Sequence, residues 1–275
     1  MTVSIPSTQT TEATILVDAH VHIYDCFDTD TLLQAAWNNF HKQSNTPNFS
    51  GVLLLTETAK DNWFGTLTAN LKETSETTFK QGDWTFSPTA EPCSLFAKNA
   101  QGHELIIMAG RQVITAEKLE VLALMTEAKF EEGRSLTETL TAIHNSGGLP
   151  VLPWGVGKWL GNRGKLIAQR LASSNSPTFF LGDNSNRPQF WKRPPHFSTI
   201  EQQGKAILPG TDPLPIASEA QRPGSFGLTL SGPLSQSAPA QQLKALLLEP
   251  DTHWQPYGAL EKPLPFLRNQ IAMRV

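Results

Sequence analysis

The stretch ILVDAHVHIYD, Ile15 to Asp25, sets two histidines one residue apart, His20 and His22, at the end of an apolar run. In a strand, residues two apart face the same way, so the two imidazoles stand side by side and Asp18 belongs to the same face. That is ligand chemistry. Neutral imidazole suits zinc, iron, nickel or copper, and manganese where carboxylates join it; a divalent ion needs one or two further protein ligands from elsewhere. The alternative is a pair of satisfied polar residues at a strand end.

A second constellation is PWGVGKWLGNRGK, Pro153 to Lys165, in which Trp154 precedes a glycine-rich run carrying Lys158 and Arg163. Glycine lets backbone approach a ligand closely, and amides at a following helix N-terminus favour anions. A loop with solvated cations is the alternative. NSNRPQFWKRPPH, Asn184 to His196, repeats the theme with Arg187, Lys192 and Arg193 beside Trp191.

The elements that must position these residues belong to a chain of 275 residues with 39% hydrophobic and 17% charged residues, the profile of an ordinary globular protein. The formal net charge of −3 is spread along the chain. A small anionic molecule is therefore expected as partner rather than a large nucleic-acid surface. No apolar run reaches the roughly 18 residues of a membrane span, and the polar MTVSIPSTQTTEAT does not read as a signal peptide, so a cytoplasmic protein is expected. Cys26 and Cys93 are too few for a disulfide framework.

Residues 1–12 read as a loose polar tail, and 13–275 as one domain. A strand is predicted over Thr14 to His22, a helix over Thr29 to His41 capped by Asp28 or Asp30, and a buried strand in GVLLLTET ending at Glu57. WTFSP, CSLFAKN and HELIIMAG are short β patterns, which predicts an antiparallel insertion over about 79–115. Alternation then resumes. KLEVLALM is a strand, SLTETLTAIHNSGG a helix with Ser135 and Glu138 as a capping box, and LPVLPWG a strand. GKLIAQRLASS, PTFFLGDN, KAILPGTD and APAQQLKALLLE continue as helix, strand, strand and helix, with a Pro- and Gly-rich connection from Pro213 to Pro239. Such alternation implies an α/β fold with a parallel sheet, open or closed into a barrel. No G-x-G-x-x-G or G-x-x-x-x-G-K-[ST] follows a strand.

The residues ILVDAHVHIYD resemble the D-x-H-x-H first-strand motif of the amidohydrolase superfamily and of the polymerase and histidinol phosphatase (PHP) family. AIHNSGGLPVLPWG is similar to the PHP pattern of helix, Gly-Gly turn and short strand, and ILPGTDPLP looks like the G-[ST]-D element that supplies an Asp from the last strand. The resemblance implies a metal-dependent hydrolase on a distorted (βα) TIM-like barrel of seven or eight strands. It assigns His20, His22 and Asp212 as metal ligands, with Asp212 also as general base. The middle-strand histidine of those families has no counterpart at Val151 to Trp154, and Leu214 stands where PHP members carry a further His. Glu57 and Asp183, each ending a strand, are the carboxylates that can substitute. Asp212 equally suits a turn before Pro213, Asp183 an Asx turn, and Glu57 a cap on the following loop.

The expected cofactor is a divalent transition metal: zinc, manganese or iron. The expected substrate is a small anionic phosphoester held by Lys158, Arg163, Arg187 and Trp154. Amide or lactone hydrolysis on the same site is the first alternative, and a degenerate member that binds an anion or a partner without turnover is the second.

Overall fold

The computed structural model describes residues 13–44, 46–73, 77–173, 177–250 and 252–273; the expected tail 1–12 lies outside the described residues. In chain order the elements are β1 (Thr14–Val21), α1 (Thr29–Gln43), β2 (Phe49–Leu55), α2 (Trp63–Glu73), β3 (Phe79–Gln81), β4 (Trp84–Pro88), β5 (Ser94–Asn99) and β6 (Glu104–Met108). Then come β7 (Gly110–Ile114), β8 (Glu120–Leu124), α3 (Leu136–Asn145), β9 (Leu149–Pro153), α4 (Gly161–Ala172), β10 (Phe180–Asn184), α5 (Pro195–Gln202) and β11 (Ile207–Gly210). A 3₁₀ turn (Ala217–Gln221), β12 (Gly227–Ser231), α6 (Pro239–Leu248), β13 (Trp254–Tyr257) and α7 (Pro263–Ala272) follow.

The strands form two open sheets, of eight strands in the order β13-β12-β1-β2-β6-β5-β4-β3 and of five in the order β11-β10-β9-β8-β7. Among the described residues the closed TIM-like barrel expected above is not found. Its absence has a local cause. β12 lies in the Pro- and Gly-rich segment read as a connection, and it pairs antiparallel with β1 from Thr14 to Val17. The other edge of β1 is taken by β2, and the far edge of β2 by β6. The edge of β1 that β11 would need for closure is thus already taken by β12. The antiparallel stretch over 79–115 is present as β3 to β6, while β7 joins the second sheet through β8.

Burial follows strand alternation. Ile15, Val17 and Ala19 of β1 pack with Val52 and Leu54 of β2 and with Leu122, Val151, Phe180 and Leu208 of the other sheet, so one core fills the space between the sheets. Leu16 points the other way, to Leu33, Ala36 and Phe40 of α1 and Leu67 of α2. A third cluster packs α3, α4 and α5 on the outer face of the five-stranded sheet through Leu140, Ile167 and Phe197. Each such side chain stabilises by about 1.5–3 kcal/mol relative to exposure. The caps read from sequence are present: Asp28 accepts from Thr31 N–H at the start of α1, and Ser135 and Glu138 form a reciprocal box on α3.

No helix among the described residues is long and apolar enough to cross a membrane.

Candidate metal centre

β1 ends at Val21, beside the end of β11, and the two chains meet where the histidines lie. Asp212 N–H donates to His20 O at 2.8 Å. This approach requires glycine at 210, because a Cβ there would sit 2.3 Å from His20 N. Asp212 itself has φ of 47°, a left-handed conformation that a non-glycine residue adopts at a cost of order 1–3 kcal/mol. Asn186 Nδ2, which donates to Asp212 O, and the bond to His20 hold it there.

Three ligand atoms converge as a result. His20 Nε2 and His22 Nε2 are 3.1 Å apart, and Asp212 Oδ1 lies 3.4 Å from the first and 3.5 Å from the second. Ligand atoms about 2.0–2.1 Å from one ion at near-tetrahedral angles are about 3.4 Å from each other. Among the described residues, His20, His22 and Asp212 are the group able to hold a metal ion. The donor set fits: two imidazole Nε2 atoms and one carboxylate oxygen converge, His22 Nε2 also lying near Thr56 Oγ1, while both Nδ1 atoms are buried without a partner.

Electrostatics favours ligation over ion pairing. Burial pushes both histidines down to about 4; Lys158 adds to this at His20, with Glu120 opposing, and His20 adds to it at His22. Neutral imidazoles offer lone pairs at pH 7, so their contacts with Asp212 are not salt bridges. The Asp212 carboxyl is pushed up by burial, against the opposing pull of His22, Lys158 and Arg222. Asn184 Nδ2 donates to Asp212 Oδ2 at 2.9 Å and also to Trp154 O.

Asp18 does different work from its neighbours. The register of β1 on β2 shifts between Asp18 and Val21. The Asp18 carboxylate accepts from Thr211 N–H, Thr211 Oγ1 and Gly224 N–H, tying β1 to the chain beyond β11. Burial pushes its carboxyl up to about 7, against those bonds.

The other expected residues occupy separate places. Glu57 accepts from Phe64 N–H at 2.7 Å at the start of α2 and lies 3.7 Å from Arg111, outside the three-residue group. Asp183 is held by Arg187 through two bonds, at 2.8 and 2.6 Å, also outside the group. Arg163 donates to Gly157 O and Lys118 O, and Trp154 is buried edge-to-face against Trp191. Lys158 pairs with Glu120, and both charges act on His20.

Glu120, Asn184 and Tyr24 escaped the sequence reading. The Tyr24 ring stacks on His22 with centroids 5.3 Å apart, a continuation of the i, i+2 spacing that marks His20 and His22. Asn184 follows Asp183, and strand alternation sends the two to opposite faces. Nothing in the sequence marks Glu120.

No family model and no curated protein sequence matches the chain. Among solved structures it is similar to PsfC from Pseudomonas syringae, with a TM-score of 0.53 and 13% identity over 95% of this chain and 98% of that one. That likeness is one of fold. Weaker likenesses are to the lesion-specific endonuclease PfuEndoQ from Pyrococcus furiosus (TM-score 0.45, 10% identity, 79% of this chain and 52% of that one). A second is to endonuclease Q in complex with a 27-mer duplex carrying an abasic lesion (0.47, 10%, 84% and 57%). The chain thus spans little more than half the length of either endonuclease. Against the expectation of no large nucleic-acid surface, the second of these structures holds a duplex. Net charge is a whole-chain sum and does not decide what a local surface binds.

Proposed function

We propose that this chain is a metal-dependent hydrolase of the amidohydrolase or PHP type that cleaves a phosphoester. The observation that carries the reading is the convergence of His20 Nε2, His22 Nε2 and Asp212 Oδ1 within 3.5 Å of one another. A divalent transition ion, zinc, manganese or iron, supplies Lewis acidity and a lowered water pKa when bound.

The chain's residues do the rest. His20 and His22 are kept neutral by burial and hold their lone pairs on one point. Asp212 is oriented by Asn184 at Oδ2, which leaves Oδ1 to the histidines, and in this reading it is also the base that takes a proton from water. Lys158, whose charge reaches His20, is in this reading the cation offered to a phosphoryl oxygen on release from Glu120. Arg163, Arg187 and Trp154 belong to a wider rim in this proposal, and Glu57 and Asp183 act as ligands only on release from Arg111 and Arg187.

The test is turnover of p-nitrophenyl phosphate and bis(p-nitrophenyl) phosphate with added manganese or zinc. Metal-dependent hydrolysis that falls by about 100-fold or more in His20→Ala supports the reading, since the ion supplies several kcal/mol of stabilisation to the transition state. A second reading, ligand binding without turnover, is favoured by one observation: the group holds three ligand atoms and lacks the middle-strand histidine of the resembled families. Tight metal binding with no hydrolysis of either ester, or of amides and lactones, decides for it.

A further inference from the structure

Beside the histidines lies a cavity of ≈ 360 Å³ between the β1–α1 segment and the start of α2. Its size falls in the range of about 300–1,000 Å³ typical of small-molecule pockets. Tyr24 is the shared wall. Its ring stacks on His22 at 19° on one side and meets Phe27 edge-to-face on the other, and Tyr24 and Phe27 both line the cavity. Asp61, another lining residue, is close enough to act electrostatically on both His22 and Tyr24.

The lining has a definite chemistry. Tyr24, Phe27 and Trp63 offer aromatic surface, and Trp63 is itself packed edge-to-face on Phe86. Asp25 and Asp61 outnumber the single lining cation, Lys60. The bonds from Thr58 fall on Asp61 Oδ2. Aromatic walls select a flat ring, and the carboxylates select N–H donors at its edge.

We infer that this cavity is a binding site for a planar nitrogen heterocycle bearing an amino group, and that it receives the non-phosphate part of the substrate. The second half of the inference rests on the phosphoester reading; the first does not. Tyr24, which stacks on His22 and lines the cavity, sets the two sites next to each other.

The experiment is calorimetric titration of adenine into the full chain, with ribose and benzylamine as the other arms. Adenine binding, with no heat from ribose and at least tenfold weaker binding of benzylamine, is the expected result. Thr66→Trp, a change at an exposed lining residue, should fill the cavity and abolish binding with the fold retained by circular dichroism. Adenine should bind unchanged to a chain carrying His20→Ala, since His20 lines no part of the cavity and makes no ring contact with its walls, which separates the cavity from the metal centre. Absence of adenine binding to the wild type, binding untouched by Thr66→Trp, or benzylamine binding as tightly as adenine overturns the assignment.

Discussion

Asn184 Nδ2 donates to Asp212 Oδ2 at 2.9 Å and thereby leaves Oδ1 of the same carboxylate turned to the two imidazoles. A partner that orients a ligand in this way is commonly worth 10- to 100-fold in metal affinity. Asn184→Ala should therefore weaken metal binding by about that factor and, because buried Asn184 also donates to Trp154 O, destabilise the metal-free protein by about 1–3 kcal/mol. Competition against a chromophoric chelator measures the first, and chemical unfolding the second. Unchanged affinity would show that Asp212 needs no such support.

Asp18 makes a separate prediction about stability. Thr211 gives it two bonds, 2.8 Å from N–H and 2.6 Å from Oγ1, in a fully buried setting. Thr211→Val removes the hydroxyl and should cost about 1–3 kcal/mol, because a buried carboxylate loses a donor. The urea midpoint reads this directly, and an unchanged midpoint would remove Asp18 from the joint between β1 and β11.

Gly210→Ala tests the same joint sterically. The added Cβ would meet His20 N at 2.3 Å, with backbone rather than a flexible side chain in its path. Overpacking of this kind costs about 1–3 kcal/mol and would push β11 away from β1. Thermal unfolding should show a lower midpoint, and metal affinity should fall with it.

The pH dependence of metal protection follows from the depressed histidines. His20 and His22 lie at about 4 in the folded chain against 6.5 when unperturbed. Protons therefore compete with a metal for the imidazoles only as pH falls through the folded values, below the range in which an exposed histidine is already charged. The rise in Tm on adding zinc should hold from about pH 8 to about pH 6 and decline towards pH 4. A decline centred near 6.5 would mean that the histidines are solvated.

The extent to which the sequence foretells this molecule differs between elements. The caps at Asp28 and Ser135 were legible because they rest on contacts within one turn. Buried strands such as GVLLL were legible from composition alone. Closure was not: β12, GLTLS, sits between Gly- and Pro-rich stretches, and its pairing with β1 is a contact across some 200 residues of chain. In the metal centre, His20 and His22 announce themselves by spacing, and Asp212 by the resemblance of ILPGTDPLP. Asn184 and Glu120 reach the centre only through the packing of β10 and β8, which no local pattern encodes.

The central claim is that His20, His22 and Asp212 hold one divalent ion, and elemental analysis of protein purified without chelator and dialysed after metal addition tests it most directly. The account predicts about one equivalent of a transition metal per wild-type chain, and loss of that equivalent when His20→Ala and His22→Ala are combined. A wild-type chain that stays empty after metal addition, or a double variant that retains the full equivalent, would contradict it.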